Sequence, residues 1–209
     1  MFITLEGPEG AGKTTQALLL AEYLKAEGRE VVLTREPGGT RIGQDIRSML
    51  LNSLNQELDF LTELLLYAAD RSQHVAEIIR PALAQGKTVI CDRYIHSMIA
   101  YQCYGRGLSR QVVDDLNKIA VGGVWPDITF VLDLPVEAGL ERASNRRAKD
   151  RIEQEKLEFH QRVRKGFLEL ALADKKLKVI KADENQEYIF AKIKNLLLAY
   201  NEEGEQSCG

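Results

Sequence analysis

The sequence lacks an excess of positive charge. Lysine and arginine number 28 against 31 aspartates and glutamates, which gives a formal net charge of −3 at pH 7. Proteins dedicated to nucleic acids or to anionic membrane surfaces usually carry a basic excess. The balance argues against both classes, and we expect neither nucleic acid nor a membrane as a partner.

The sequence also has few cysteines and no long apolar run. Its cysteines are Cys91, Cys103 and Cys208, an odd number without a CxxC pair. Because a disulfide framework usually needs an even set, we expect a reducing, cytoplasmic compartment. The first residues lack the basic and apolar regions of a signal peptide. No apolar stretch approaches the ~20 residues of a membrane span.

What the chain does contain is a regular alternation of apolar and amphipathic segments. Strands are predicted at 2–5, 31–34, 88–91, 128–132 and 177–180, and helices at 13–27, 40–51, 59–85, 97–104, 109–121, 136–145, 152–172 and 186–200. This order predicts an α/β fold with a parallel sheet and helices on both faces. The length of 209 residues predicts one domain, and the polar end, 202–209, a frayed tail.

A phosphate-binding loop is the most specific motif. Residues 7–14, Gly-Pro-Glu-Gly-Ala-Gly-Lys-Thr, match G-x-x-x-x-G-K-[ST] between a predicted strand and a predicted helix. Backbone N–H groups of such a loop point at phosphate oxygens. We expect Lys13 to reach the β- and γ-phosphates and Thr14 to face Mg²⁺. The predicted ATP-binding residues of the loop are Gly7, Pro8, Glu9, Gly10, Ala11, Gly12, Lys13, Thr14 and Thr15.

The loop predicts a bound nucleoside triphosphate but leaves the reaction open. A GTPase switch normally carries N-K-x-D, whereas Asn117-Lys-Ile is followed here by Ala120. It also carries D-x-x-G after a strand, whereas Asp92 is followed by Arg-Tyr-Ile. An ATPase motor is normally larger. A phosphotransferase is favoured, and the switch remains the alternative from another class.

A phosphotransferase that joins two anions needs cations around the acceptor. Four arginines that flank predicted strands or helices are candidates: Arg35, Arg47, Arg71 and Arg93. Asp92 closes a predicted strand at its carboxyl end, where open α/β sheets bind ligands, and can hold Mg²⁺ or orient Arg93. The histidines show no metal-ligand spacing: His74, His96 and His160.

Six further segments, with the phosphate loop, resemble the thymidylate kinase family, most closely its bacterial members. They are Thr34-Arg-Glu-Pro-Gly-Gly-Thr40, Tyr67-Ala-Ala-Asp-Arg71, Asp92-Arg-Tyr94, Ser97-Met-Ile-Ala-Tyr-Gln102, Pro126-Asp-Ile-Thr129 and Asp150-Arg-Ile-Glu153. The resemblance implies a P-loop NTPase-type three-layer fold with a five-stranded parallel sheet and a small mobile lid. It implies phosphorylation of dTMP by MgATP to dTDP and ADP, for dTTP synthesis, by a cytoplasmic homodimer. Another nucleoside or nucleotide kinase is the nearest alternative.

The same resemblance assigns the base and sugar contacts. Tyr67 matches the aromatic ring that stacks on thymine, although that position is commonly Phe, and Arg71 matches the partner of thymine O4. Ser97 and Gln102 lie in the motif that contacts the pyrimidine. Tyr101 is expected against the deoxyribose, where it leaves no room for a 2′-hydroxyl.

The resemblance to the thymidylate kinase family also implies the remaining contacts to the acceptor and to the metal. Glu9 matches the residue that holds the sugar 3′-hydroxyl. The 5′-phosphate cluster is Arg35, Arg47 and Arg93, beside Glu36 and Pro37. The residues expected around Mg²⁺ are Thr14, Asp92 and Glu9.

Some family members carry an arginine in the phosphate loop where this chain has Gly10. Residues 142–151 hold five basic residues and one acid in a chain that is acidic overall. Such a run is often a solvated helix end, and that alternative stays open. The resemblance implies a lid at about 142–152 that closes over ATP, with Arg142 packed on adenine. The catalytic candidates are Lys13, Arg93, Arg146, Arg147 and Arg151.

Overall fold

The computed structural model describes the backbone of residues 1–145 and 149–206, and side chains up to residue 202. Arg146, Arg147 and Cys208 lie outside the described residues. The prediction for the two lid arginines therefore has no structural counterpart here.

One parallel sheet forms the centre, with the strand order β2-β3-β1-β4-β5. Its strands are β1 (Phe2–Glu6), β2 (Val31–Arg35), β3 (Thr88–Asp92), β4 (Ile128–Asp133) and β5 (Leu177–Lys181). The three inner strands are apolar and almost wholly buried, as expected for a sheet covered on both faces. The predicted five-stranded parallel sheet is confirmed. Leu5 of β1 pairs with Asp92 of β3, so the carboxyl ends of these strands lie side by side.

Nine α-helices are assigned within the described residues: α1 (Lys13–Ala26), α2 (Arg41–Leu51), α3 (Phe60–His74), α4 (Arg80–Ala84), α5 (Ile95–Met98), α6 (Arg110–Val121), α7 (Val136–Ser144), α8 (Leu157–Ala173) and α9 (Gln186–Gln206). Two π-helical segments interrupt them, Val75–Ile79 after α3 and Ile99–Gly105 after α5. The helical segments predicted at 59–85 and 97–104 are therefore confirmed, although part of each is π-helix rather than α-helix. Such π-helical insertions frequently occur at functional sites.

Helix ends follow local hydrogen bonding. The Thr40 hydroxyl accepts a bond from the Gly43 N–H at 2.9 Å and caps α2. Helix α8 begins at Leu157, so the prediction of a start at 152 is wrong. Asp150 and Glu153 instead form a separate turn in which each carboxylate accepts the other's backbone N–H, at 3.0 and 2.9 Å. Helix α9 continues past its predicted end into the expected tail.

The apolar core occupies both faces of the sheet. Helices α1 and α9 cover one face through side chains such as Leu20 and Ile193. Helices α3, α6 and α8 cover the other, where Leu64, Val113 and Phe167 are buried. Helices on both faces are thus confirmed, and the loops at the carboxyl ends of the strands remain accessible. Within the described residues, no helix is both long and apolar enough to cross a membrane.

Candidate active site

The phosphate loop joins the end of β1 to the start of α1. Gly7 has a φ of 134°, and a Cβ there would lie 2.3 Å from the Leu132 carbonyl oxygen of β4. Gly10 has a φ of 70°, and a Cβ would lie 2.1 Å from the Gly139 carbonyl oxygen of α7. Only glycine fits at these two positions, so the loop has no room for a side chain at residue 10.

Lys13 and Thr14 begin α1 beneath this loop. The Lys13 ammonium donates to the carbonyl oxygens of Gly7 at 3.1 Å and Pro8 at 2.7 Å. Burial, with the nearby Arg93 charge, lowers the pKa of Lys13 to about 8. The Thr14 hydroxyl donates to Asp92 Oδ2 at 2.5 Å, which unites the first turn of α1 with the end of β3.

Two adjoining pockets open at this edge of the sheet. The donor pocket contains much of the loop together with cations and acids from other segments: Glu9, Gly10, Gly12, Lys13, Thr14, Thr15, Arg35, Glu36, Arg47, Asp92, Arg93, Ala143 and Glu153. The acceptor pocket has an empty volume of about 610 Å³. It brings together ten of the predicted acceptor residues: Glu9, Glu36, Pro37, Arg47, Tyr67, Arg71, Arg93, Ser97, Tyr101 and Gln102. Arg35 lies on the donor side alone.

Arg93 stands at the junction of the two pockets. It has a φ of 71°, an unusual conformation for a residue with a side chain. Its guanidinium donates to Glu9 Oε1 at 2.7 Å, to the Tyr101 hydroxyl at 3.1 Å and to Ser97 Oγ at 3.1 Å. Burial would raise the pKa of Glu9, but the charges of Arg93 and Lys13 outweigh it and lower that pKa to about 2. Glu9 therefore remains ionised at neutral pH.

Arg71 is held from four sides. Its guanidinium donates to Glu36 Oε2 at 2.8 Å, Asn117 Oδ1 at 2.7 Å, the Met98 sulfur at 2.8 Å and the Tyr94 carbonyl at 2.9 Å. Nη2 also lies 2.8 Å from Glu36 Oε2, so all five N–H groups of the guanidinium face partners within the described residues. Arg71 nevertheless lines the acceptor pocket.

Behind Arg71 lies a buried polar network that the sequence did not reveal. His74 Nδ1 is 2.9 Å from Glu36 Oε1, and its Nε2 is 2.7 Å from Thr34 Oγ1. Asp70 accepts the Gly38 N–H at 2.9 Å, and its second oxygen has no partner within the part of the chain that is described. Burial, with the charge of Glu36, raises the pKa of Asp70 to about 6. The network holds the loop after β2 against α3.

Glu6 is a second residue that sequence reasoning missed. It is fully buried at the end of β1 and accepts bonds from the backbone N–H groups of Tyr94 and Ser97, at 2.8 and 3.2 Å. The Ser97 hydroxyl also donates to it, at 2.5 Å. Because Arg93 precedes these contacts directly, Glu6 fixes the segment that carries Arg93. The sequence signal that could have identified Glu6 is an acidic residue inside an apolar strand.

Arg151 is not at the donor pocket, so the prediction that it reaches the γ-phosphoryl group is wrong in this structure. Only 3% of it is exposed. It donates to the Leu50 carbonyl at 2.8 Å and to Glu63 Oε2 at 2.5 Å, so its guanidinium pairs with a buried carboxylate and does not face the donor pocket. Arg142 donates to the Ala182 carbonyl at 3.1 Å, just beyond β5.

Comparisons with known proteins agree on one family. The family model described as thymidylate kinase matches residues 5–193. The chain is 50% identical over 206 residues to a thymidylate kinase of Exiguobacterium sibiricum, covering 98% of this chain and 97% of that one. It is 52% identical to one of Halothermothrix orenii, with 92% and 94% covered. A crystal structure of thymidylate kinase from Ehrlichia chaffeensis matches with a TM-score of 0.79 and 40% identity, covering 95% of this chain and 98% of that one.

Proposed function

The chain belongs to the thymidylate kinase family and phosphorylates dTMP to dTDP, and from that premise we propose which residues perform the transfer. The observation that supports this proposal is that four residues line both pockets: Glu9, Glu36, Arg47 and Arg93. A donor phosphate on the loop and an acceptor phosphate in the neighbouring pocket would face each other there. Transfer then depends on position and on neutralisation of charge, since the acceptor phosphate is already ionised.

On the donor side, the loop backbone and Lys13 hold the phosphates of ATP. Thr14 and Asp92 fit a magnesium ion, because a hydroxyl and a carboxylate oxygen already lie 2.5 Å apart in the donor pocket. No cluster of three His, Cys, Asp or Glu side chains suited to a metal occurs among the described residues. Magnesium usually takes one or two protein oxygens together with substrate phosphates and water. The ion would supply positive charge at the phosphates.

On the acceptor side, the nucleotide lies between Tyr67 and the segment that carries Ser97 and Gln102. Arg71, which lines the acceptor pocket, donates to thymine O4 from its guanidinium. Glu9 is ionised and accepts the sugar 3′-hydroxyl, and Tyr101, which is bonded to Glu9 at 2.8 Å, closes the space beside the 2′ carbon. The 5′-phosphate is bound by Arg47 and Arg93 at the junction and by Arg35 from the donor side.

Release of ADP from MgATP tests this assignment against other kinases. We expect turnover with dTMP to exceed that with dUMP, UMP, CMP, AMP or thymidine in parallel assays. A preference for AMP or CMP would contradict the acceptor assignment. Hydrolysis of ATP that does not depend on any acceptor would favour a nucleotide-binding switch instead.

A homodimer forms part of the proposal. Helix α3 packs between α2 and α6, and each of the three presents apolar side chains to the exterior. They are Ile42 and Met49, Leu61 and Leu65, and Val112 and Ile119, between 42% and 76% exposed. Exposed apolar side chains on three adjoining helices favour a protein partner.

Light scattering after gel filtration tests the dimer. We expect Leu65→Glu to give monomers, because it places a charge in the apolar surface. Leu172→Glu, which changes an 89% exposed leucine on α8, is the matched control and should remain dimeric. Dimers of both variants would contradict this interface. The proposal places the enzyme in the cytoplasm, which the unpaired thiols of Cys91 and Cys103 support.

A further inference from the structure

One buried carboxylate connects three separate segments behind the acceptor pocket. Glu63 of α3 accepts bonds from Gln102 Nε2 at 2.9 Å and Arg106 Nε at 3.1 Å on one oxygen. Its other oxygen accepts Arg106 Nη2 at 3.0 Å and Arg151 Nη2 at 2.5 Å. We call Glu63, Gln102, Arg106 and Arg151 the Glu63 cluster.

The Glu63 cluster is shielded from water and rigidly packed. Glu63 is 0% exposed and Gln102 1%. Arg106 lies between two aromatic rings, 4.6 Å from the Phe60 centroid and 4.7 Å from that of Phe159, and also pairs with Glu155. Burial would raise the pKa of Glu63, but Arg106, with Gln102 and Arg151, lowers it below its ordinary value. Glu63 is therefore an ionised acceptor that cannot donate.

This charge determines which way the Gln102 amide points. An ionised carboxylate only accepts hydrogen bonds, so it binds the NH₂ end of the amide and repels the oxygen end. With Nε2 held by Glu63, Gln102 Oε1 accepts no bond from the described residues. Gln102 lines the acceptor pocket, and it lies in the π-helical segment that also carries Tyr101. The pocket thus offers a hydrogen-bond acceptor of fixed orientation in addition to the Arg71 guanidinium.

We propose that Glu63 is a positioning residue, which orients Gln102 so that the pocket selects bases with a ring N–H over bases with a bare ring nitrogen. Thymine presents a donor at N3 between two carbonyl acceptors, and cytosine presents an acceptor at N3. An amide held with its oxygen outward pairs with the first and opposes the second. An amide that Glu63 no longer holds can rotate, so that it forms a hydrogen bond with N3 of either base. The inference rests on the proposed placement of dTMP in the acceptor pocket.

The test compares two ligands that both carry the 5-methyl group, dTMP and 5-methyl-dCMP. Their dissociation constants are measured by calorimetry for the wild type and for Glu63→Gln, so that no turnover is required. We expect the preference for dTMP to fall at least about tenfold in Glu63→Gln, because the amide loses its fixed orientation. In a Gln102→Met background, Glu63→Gln should leave the preference unchanged, since the residue through which Glu63 acts is absent.

A control and a second variant keep the outcomes distinct. Glu155→Gln removes the other carboxylate on Arg106 without touching Gln102, and should leave the preference unchanged. If Glu63→Gln does not fold, as judged by circular dichroism, Glu63→Asp is used, since its shorter carboxylate no longer reaches the amide. Equal weakening of both ligands in a folded Glu63 variant, or an unchanged preference, overturns the inference. Failure of the wild type to bind dTMP overturns the acceptor assignment instead.

Discussion

The two halves of the site are built in different ways. The phosphate loop of the donor half is one contiguous segment, residues 7–15, whose conformation depends on glycines. The acceptor half takes side chains from the loop after β2, from α3 and from the π-helical segment after α5, and buried ion pairs such as Arg71–Glu36, at 2.8 Å, hold them in place. A backbone cradle tolerates changes in distant side chains. A pocket held by buried charges does not, because each lost partner leaves a charge uncompensated.

The largest expected effect concerns the arginine that the phosphate loop of the donor half lacks. Gly10 leaves no room for an arginine in the loop, and Ala143 of α7 lines the donor pocket three residues before Arg146. Replacing Arg146 and Arg147 together with Ala should lower kcat by roughly 10³-fold, as for loss of an arginine finger. The affinity for dTMP should barely change, since other segments form that pocket.

Stopped-flow or steady-state kinetics of the double variant provides this measurement, with Lys149→Ala as the matched control. Lys149 is an exposed cation of the same segment, and its loss should leave kcat nearly unchanged. A near-normal kcat in the double variant would contradict the assignment of Arg146 and Arg147 as catalytic residues.

The second effect tests the acceptor half. Arg71→Ala should weaken dTMP binding by about 1.5–3 kcal/mol, as for a hydrogen bond from a charged group. It should also lower the free energy of unfolding by about 3–5 kcal/mol, because Glu36 is left buried without its guanidinium partner. Calorimetric titration with dTMP and ATP, and urea unfolding, measure the two losses.

Arg35→Ala is the control for Arg71, since Arg35 is exposed and lies on the donor side. It should leave the free energy of unfolding within about 0.5 kcal/mol of the wild type. If Arg71→Ala weakens ATP as much as dTMP, the two halves are not separable as described.

The contrast between the halves also explains what could be predicted from the sequence. The phosphate loop follows a fixed spacing, so its position between a strand and a helix was predictable from adjacent residues alone. Arg151 shows the opposite case, because its contact is Glu63, 88 positions away, and no local pattern distinguishes a buried pair from a lid arginine. His74 and Asn117 are single polar residues on helices, and the bonds that they make to Glu36 and Arg71 appear only after folding. The π-helical segments likewise carry no periodicity that separates them from α-helix.

A third effect uses the raised pKa of Asp70. That pKa rises from 3.8 to about 6 on folding, chiefly through burial, so the folded chain binds more protons than the unfolded chain between these values. The contribution of Asp70 to the free energy of unfolding must then fall as pH rises from 4 to 7, by about 2 kcal/mol, and stay level above that. Urea unfolding should show the wild type losing this amount relative to Asp70→Asn between pH 4 and pH 7. A constant difference would show that folding does not raise the pKa of Asp70.

The smallest expected effect is the uptake of a fraction of a proton by Lys13 in the donor half when ATP binds. In the free protein, burial and the charge of Arg93 lower the pKa of Lys13 to about 8, so at pH 8 about half of the molecules carry a neutral Lys13. The phosphates of ATP favour the charged ammonium and must raise this pKa on binding. We therefore expect binding of MgATP at pH 8 to take up about half a proton. Calorimetry in Tris and in HEPES, whose ionisation enthalpies differ, measures this uptake, and Lys13→Arg should abolish it because an arginine stays charged. Equal enthalpies in the two buffers for the wild type would mean that Lys13 is already charged in the free protein, and that its carbonyl partners on the loop outweigh burial.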